Sequence, residues 1–191
     1  MARLHTLNEA LAFRKVARKP PPKGKPKNPD FLALNAVLDR IRTRFHNPAT
    51  FAQLTHGEQL VHEVGFVMDA EVLNGGWHQF LGNSSGNDAE RDKSSLRELG
   101  ALAVLQLLER VATLFPNGVI PTDWKQRNQQ LRTARDADPE SVDGMLNAAD
   151  AAYYRERDNL YTRLMDYVEV NQDDFRLPDD ATVRRSVRSA E

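Results

Sequence analysis

Apolar residues recur every three or four positions through most of this 191-residue chain, and alternating β-type patterns are nearly absent. The clearest stripe consists of Phe31, Leu34, Leu38, Ile41 and Phe45. This spacing places side chains on one face of an α-helix, and several such faces can bury one another. The sequence therefore predicts an all-α fold, a single compact domain of about six to eight helices with a flexible basic N-terminal arm.

Capping residues locate the ends of the predicted helices. The candidate N-caps are Thr6, Asp30, Thr55, Asp88, Thr122 and Asp138. Thr6 and Thr55 each precede a glutamate by three positions, which is the spacing of a capping box. We expect Gly75 and Gly76 to break the helix that precedes them. One long helix should then run from Asp88 to about Phe115, and two helical stretches should lie between Pro139 and about Val170.

The chain is divided near its ends by changes in composition. Residues 20–29 contain five prolines and three lysines, which disfavour a helix and favour a semi-extended linker. We therefore place a basic helix and linker in residues 1–29, the helical domain in 30–178 and a loosely ordered tail in 179–191.

Several classes of protein are excluded by composition. The chain has no cysteine, so it cannot form disulfides or use thiol catalysis. No uncharged apolar run of about 18 residues is present, and the N-terminus lacks the apolar stretch of a signal peptide. We expect a cytoplasmic protein that uses no cofactor.

Charge is distributed unevenly along a chain whose net charge is only -1. Residues 1–30 carry +6, whereas residues 136–180 carry -9. A basic protein could bind the acidic segment, or its carboxylates could simply be solvated helix faces. The candidate partner-binding residues are Asp150, Glu156, Asp158, Asp166, Glu169, Asp173 and Asp174.

The basic N-terminal segment allows three interpretations. Its positive side chains include Arg14, Lys15, Arg18, Lys19, Lys23, Lys25 and Lys27. They could form a solubilising tether, contact nucleic acid through phosphates, or dock onto the acidic segment of this chain or of a neighbouring subunit. No aromatic residues alternate with these bases, as they often do in proteins that bind single-stranded nucleic acid.

Enzyme motifs are incomplete in this sequence. Residues 82–86 match G-x-S-x-G, but Ser84 would need a strand before it and an α/β sheet around it. His62 and Glu63 begin an H-E-x-x-H pattern in which Phe66 replaces the second histidine. The spacing of His56, His62 and His78 does not bring them together. We therefore predict no catalytic residue and no metal site.

The most distinctive stretch is a glycine-containing turn within residues 71–86. Its characteristic residues are Glu71, Asn74, Gly75, Gly76, Trp77, Gln79, Phe80 and Asn83. The glycines allow the backbone to leave the helix, the aromatic residues can enter the core, and the polar residues can satisfy backbone groups. The alternative is a polar ligand or partner site at the same turn.

This stretch, together with Leu96–Ala101, resembles the DNA-mimic-protein family, with agreement in helix order over residues 30–178. The resemblance implies an all-helical, often dimeric fold with no established catalysis. It also implies an acidic surface that imitates DNA phosphates and occupies a DNA-binding protein. This chain departs from that pattern because it is almost neutral overall. We expect a non-enzymatic module that binds a basic nucleic-acid-binding regulator or effector. A homodimer is compatible with this expectation. The alternative is a protein that binds nucleic acid through the basic N-terminal arm.

Overall fold

A computed structural model describes residues 6–17, 28–45 and 47–175, and these residues form helices and turns without a β-strand. The α-helices are α1 (Leu7–Ala17), α2 (Pro29–Arg44), α3 (Pro48–Phe51), α4 (His56–His62), α5 (Asp69–Gly82), α6 (Ala89–Glu98), α7 (Leu102–Ala112), α8 (Trp124–Ala137) and α9 (Pro139–Val170). A π-helical segment, Glu63–Met68, joins α4 to α5, and short 3-10 turns cover Ser84–Asp88, Pro116–Gly118 and Gln172–Phe175. The predicted all-α class is confirmed. Most of the predicted linker and the whole predicted tail lie outside the described residues.

Both predicted capping boxes are present. The Thr6 backbone N–H donates to Glu9 Oε2 at 3.0 Å, and the Glu9 backbone N–H donates to Thr6 Oγ1 at 3.1 Å. In the second box the Thr55 N–H donates to Glu58 Oε2 at 3.0 Å, and the Glu58 N–H donates to Thr55 Oγ1 at 3.2 Å. Asp138 accepts from the backbone N–H of Ser141 at 3.0 Å, as predicted for an N-cap before proline. Each bond satisfies an amide that the first turn of a helix leaves without a partner.

Two predicted caps were wrong, and a third residue occupies its predicted cap position without making a capping bond. Helix α2 begins at Pro29, so Asn28 is the cap and accepts from the backbone N–H of Asp30. Helix α8 is capped by Asp123, not Thr122. Asp88 occupies the cap position of α6 but makes no side-chain capping bond. In the first case Pro29 explains the shift, because proline favours the first helical position and leaves the cap to the residue before it.

Two predicted helix lengths were also wrong. Gly100, at φ +66°, ends α6, with Ala101 N–H donating to the Leu96 carbonyl and Gly100 N–H to the Arg97 carbonyl. This pair of bonds is a Schellman motif, so the predicted long helix is two helices. Conversely, residues 139–170 form one helix rather than two, because neither proline nor glycine lies between the two predicted stretches, near residues 152 and 153.

The chain divides into two compact units, residues 1–62 with 164–191 (unit 1) and residues 63–163 (unit 2). In unit 1, α1 packs against α2 and buries Leu7, Ala10 and Leu11. This helix belongs to the segment predicted as a flexible arm, and its described residues pack as part of a core. The predicted boundaries at 29/30 and 178/179 stay predictions.

Unit 2 contains a buried polar network that fixes α5 to α9. The Asp69 carboxylate accepts from the hydroxyls of Tyr153 and Tyr161, both at 2.8 Å, and from Arg157 Nε at 3.2 Å. Burial, reinforced by the Asp69 charge, raises the pKa of both tyrosines above the ordinary value. The hydroxyls therefore remain donors, which a buried carboxylate requires.

Among the described helices, none is both long enough and apolar enough to cross a membrane.

Candidate functional site

The glycine pair of the distinctive turn forms a kink inside α5. Gly75 adopts φ -151° and ψ 23°, and Gly76 adopts φ 71° and ψ -174°. The kink turns the Trp77 N–H toward α9, where it donates to Asp150 Oδ1 at 2.7 Å. A Cβ atom on Gly76 would lie 2.3 Å from Asp150 Oδ2. The predicted break is confirmed, and glycine is required by both the dihedral angle and the close approach.

The polar residues of the turn bind one another. Glu71 Oε2 accepts from Gln79 Nε2 at 2.7 Å and from Asn83 Nδ2 at 2.9 Å. Asn74 Nδ2 donates to Gln79 Oε1 at 3.0 Å. Their hydrogen bonds therefore hold the two arms of the kink together, which supports the structural interpretation of this stretch over a ligand site.

The aromatic residues of the turn lie in the core of unit 2. Trp77 and Phe80 are fully buried, with their ring centroids 5.6 Å apart in an edge-to-face arrangement. Trp77 makes a second edge-to-face contact with Tyr153 at 5.8 Å. The signature thus anchors α5 to α9 and leaves the exposed face of α9 free to carry charge.

Arg127 is the main structural residue that sequence reasoning missed. It is fully buried, and its guanidinium donates to the carbonyls of Leu81, Pro121 and Asn83 at 2.5 to 2.6 Å and to Asn87 Oδ1 at 2.9 Å. The G-x-S-x-G loop therefore wraps an arginine, and it is not a nucleophile elbow. A single arginine in a polar helix carries no local signal of this role.

The acidic candidates Asp166 and Glu169 face the N-terminal helix. Arg14 is fully buried and contacts Asp30 at 2.6 Å, Asp166 at 2.5 Å and Glu169 at 2.8 Å. Lys15 lies 3.5 Å from Glu169. Docking of the basic segment onto the chain's own acidic segment is thus observed for these two bases. Arg14 was wrongly grouped with the bases available to nucleic acid, because it has no exposed surface.

The other acidic candidates are in varied environments. Asp150 is half-buried and binds the kink, and Asp174 accepts from the Gly57 N–H at 3.3 Å. Glu156 is half-buried, with Asn159 donating to it at 3.4 Å. Asp158 and Asp173 are exposed. The seven candidates therefore do not form one uniform surface, and their use in partner binding stays a prediction.

Three exposed carboxylates that sequence reasoning did not select lie where α8 meets α9. They are Asp136, Asp138 and Glu140. No described basic side chain forms an ion pair with any of them, or with Asp158. We call Asp136, Asp138, Glu140 and Asp158 the acidic surface of unit 2. The negative charge predicted for residues 136–180 includes these three carboxylates. The seven residues selected as partner-binding candidates did not include them.

The histidines do not form a metal site in the part of the chain that the structure describes. His62 is buried, with its ring 4.6 Å from that of Phe45. Burial, together with the nearby charge of Arg42, lowers the pKa of His62 to about 4. His56 and His78 are exposed.

Asp92 is a buried carboxyl group in unit 2 whose stability effect depends on pH. It is 2% exposed, and its Oδ1 accepts no hydrogen bond from the described residues. Burial, followed by the charge of Glu63, raises the pKa of Asp92 well above its ordinary value. The folded chain therefore keeps this proton at a pH where the unfolded chain has lost it, and the contribution to stability falls as pH rises above about 4.

We accordingly expect Asp92→Asn to be more stable than the wild type by about 1 kcal/mol at about pH 8, with a smaller difference at about pH 4. Thermal unfolding at the two pH values measures this. The control is Glu90→Gln on the same helix, which removes an exposed carboxylate that Lys93 contacts at 2.6 Å and leaves the buried Asp92 in place. Parallel pH profiles for wild type and Asp92→Asn would contradict the assignment.

The model of the DMP19-like protein family matches residues 52–171. The chain belongs to this family. The match covers α4 to α9, including the kinked signature turn, and leaves α1 and α2 outside it. Comparisons with curated proteins and with solved structures found no match. Membership in the DMP19-like family confirms the predicted resemblance to DNA-mimic proteins.

Proposed function

We propose that this protein is a non-catalytic DNA mimic that binds a basic DNA-binding regulator through the acidic surface of unit 2. Family membership supports a mimic, and the distribution of charge supports unit 2 as its location. Unit 2 contains sixteen acidic and eleven basic residues, a net charge of -5, whereas unit 1 carries +4. The near-neutral total therefore conceals an acidic unit.

The observation that carries this proposal is the difference between the two acidic groups. Arg14 contacts both Asp166 and Glu169, whereas the acidic surface of unit 2 is exposed and forms no ion pair with a described base. Glu140 and Asp158 are five helical turns apart on α9, so they share a face at a separation of about 27 Å. Carboxylates along one helix face can match several basic side chains of a DNA-binding surface.

The partner is expected to be a transcription regulator in the cytoplasm, and binding would block its access to DNA. Attraction between opposite charges accelerates the encounter of two proteins. Salt screens this attraction over about 8 Å at physiological ionic strength. The local charge of unit 2 therefore matters more than the net charge. A homodimer would present the acidic surface twice, consistent with the dimeric state that the family resemblance implies.

The test is capture of proteins from a lysate at low salt on the full chain, followed by elution with duplex DNA. The test variant is Glu140→Lys/Asp158→Lys. The control variant is Glu90→Lys/Glu109→Lys, which makes the same charge change at exposed residues on α6 and α7. Reversing Asp166 and Glu169 would be a poor test, because it would also disturb the buried Arg14.

We expect the wild type and the control to retain a basic protein that duplex DNA elutes, and the test variant to lose it. Elution by DNA is informative because a mimic and DNA compete for one surface. Equal retention by both variants, or no DNA-eluted protein on the wild type, would contradict the proposal. If the wild type itself retards DNA in a gel, the alternative function through the basic N-terminal segment is favoured instead.

A further inference from the structure

Tyr154 is an exposed aromatic residue on the outer face of α9. It is 54% exposed, and its hydroxyl donates to the Leu73 carbonyl of α5 at 3.3 Å. The hydroxyl end of the ring is therefore held by α5, while much of the side chain faces solvent. Among the described residues, no cation lies over this ring. An exposed ring that the fold anchors at one end is available to a ligand.

An exposed carboxylate lies one helical turn after this ring. Asp158 follows Tyr154 by four residues, so the two side chains are neighbours on one face of α9. Side chains of a helix lean toward its N-terminus, which directs Asp158 toward Tyr154. Asp158 forms no ion pair with a described base, including Arg155 three residues before it. Tyr154 and Asp158 therefore present an aromatic surface beside an open anion.

The interior of unit 2 shows what such a pair of groups binds. The guanidinium carbon of Arg157 lies 5.0 Å from the centre of the Tyr161 ring, and Arg157 Nε lies 3.2 Å from Asp69 Oδ1. A ring and a carboxylate thus hold one guanidinium together. A guanidinium can make both contacts because it is planar and carries its N–H donors at its edge, whereas an ammonium is compact and strongly hydrated.

We propose that Tyr154 and Asp158 form a binding site for an arginine side chain of the basic partner; this rests on the proposed function and names the partner residue that the acidic surface of unit 2 takes. The guanidinium stacks on the Tyr154 ring and donates to the Asp158 carboxylate. Both contacts are exposed to water, so one arginine binds weakly, and the other carboxylates of the acidic surface add to the affinity for a complete partner.

The experiment is a titration of the full chain with N-acetyl-arginine methylamide, followed by nuclear magnetic resonance of the amide groups in residues 154–158. The lysine compound of the same charge is the comparison. Tyr154→Phe keeps a ring, Tyr154→Leu keeps apolar bulk without a ring, and Asp158→Asn removes the charge. Glu140→Gln is the matched control, because it removes an equal charge from the same face of α9 where no aromatic residue lies within one turn.

We expect the arginine probe to bind with a millimolar dissociation constant and the lysine probe to bind at least about threefold more weakly. Binding of the arginine probe should stay within about twofold of wild type in Tyr154→Phe and Glu140→Gln, and weaken at least about threefold in Tyr154→Leu and in Asp158→Asn. The amide spectrum shows whether each variant is folded, and Asp158→Asn tests the site if Tyr154→Leu does not fold. Equal binding of the two probes, no binding, or wild-type binding by folded Tyr154→Leu or Asp158→Asn would overturn the inference.

Capture from a lysate separates this inference from the proposed function. If the arginine probe does not bind and the wild type still captures a DNA-eluted protein that Glu140→Lys/Asp158→Lys loses, the arginine site fails while the function stands. If the probe binds as expected and the wild type captures no DNA-eluted protein, the arginine site stands and the mimic function fails.

Discussion

Replacing Arg14 with leucine is expected to destabilise unit 1 by about 3–5 kcal/mol. The substitution removes the cation that Asp30, Asp166 and Glu169 surround. Asp30 contributes most of the cost, because its side chain is 7% exposed and its charge would remain in the interior. Asp166 and Glu169 are partly solvated and contribute less. Chemical denaturation of the wild type and the variant measures the difference.

Two further variants test the cause of this loss. Lys15→Leu removes a neighbouring base whose side chain is 70% exposed, and it should change the free energy of unfolding by less than about 0.5 kcal/mol. Arg14→Leu/Asp30→Asn should recover part of the stability, because the buried charge is gone. The explanation fails if Arg14→Leu is no more destabilising than Lys15→Leu, or if the double variant is less stable than Arg14→Leu alone.

Replacing Gly76 with alanine is expected to cost about 3–5 kcal/mol, from backbone strain and from a clash. Gly76 has φ 71° and ψ -174°, a region that side chains other than glycine rarely adopt. The new Cβ would lie 2.3 Å from Asp150 Oδ2 and would displace the carboxylate that accepts from Trp77 N–H. Denaturation measures the cost, and tryptophan fluorescence in a Trp124→Phe background reports the local change at Trp77.

Gly100→Ala is the control for a positive φ without a clash. Gly100 also has a positive φ, +66°, but a Cβ there would meet nothing within 4 Å. Its cost should be about 1–2 kcal/mol, the cost of the backbone conformation alone. Equal losses for the two alanine variants would show that contact with Asp150 has no effect. Combining Gly76→Ala with Asp150→Ala should relieve the clash but not the strain.

Local signals account for the parts of the fold that sequence reasoning predicted correctly. The capping boxes at Thr6 and Thr55 and the break at Gly75–Gly76 depend on residues within three or four positions of one another. The missed break at Gly100 was also local, since Leu99-Gly100-Ala101 has the glycine that a Schellman motif requires. The two stretches predicted between Pro139 and Val170 were wrong because a change in the apolar pattern does not end a helix when neither proline nor glycine lies at the change.

The sequence by itself determined the all-α class, several helix starts, the family and the asymmetry of charge. Only the tertiary structure decided which charges remain exposed. Arg14 is separated from Asp166 and Glu169 by 152 and 155 positions, and Arg127 from Asn83 by 44. Periodicity and capping act over a few residues, whereas the pairing of charges depends on which distant helices pack together. Asp166 and Glu169, which pair with Arg14 of α1, could therefore be distinguished from the exposed acidic surface of unit 2 only in the tertiary structure.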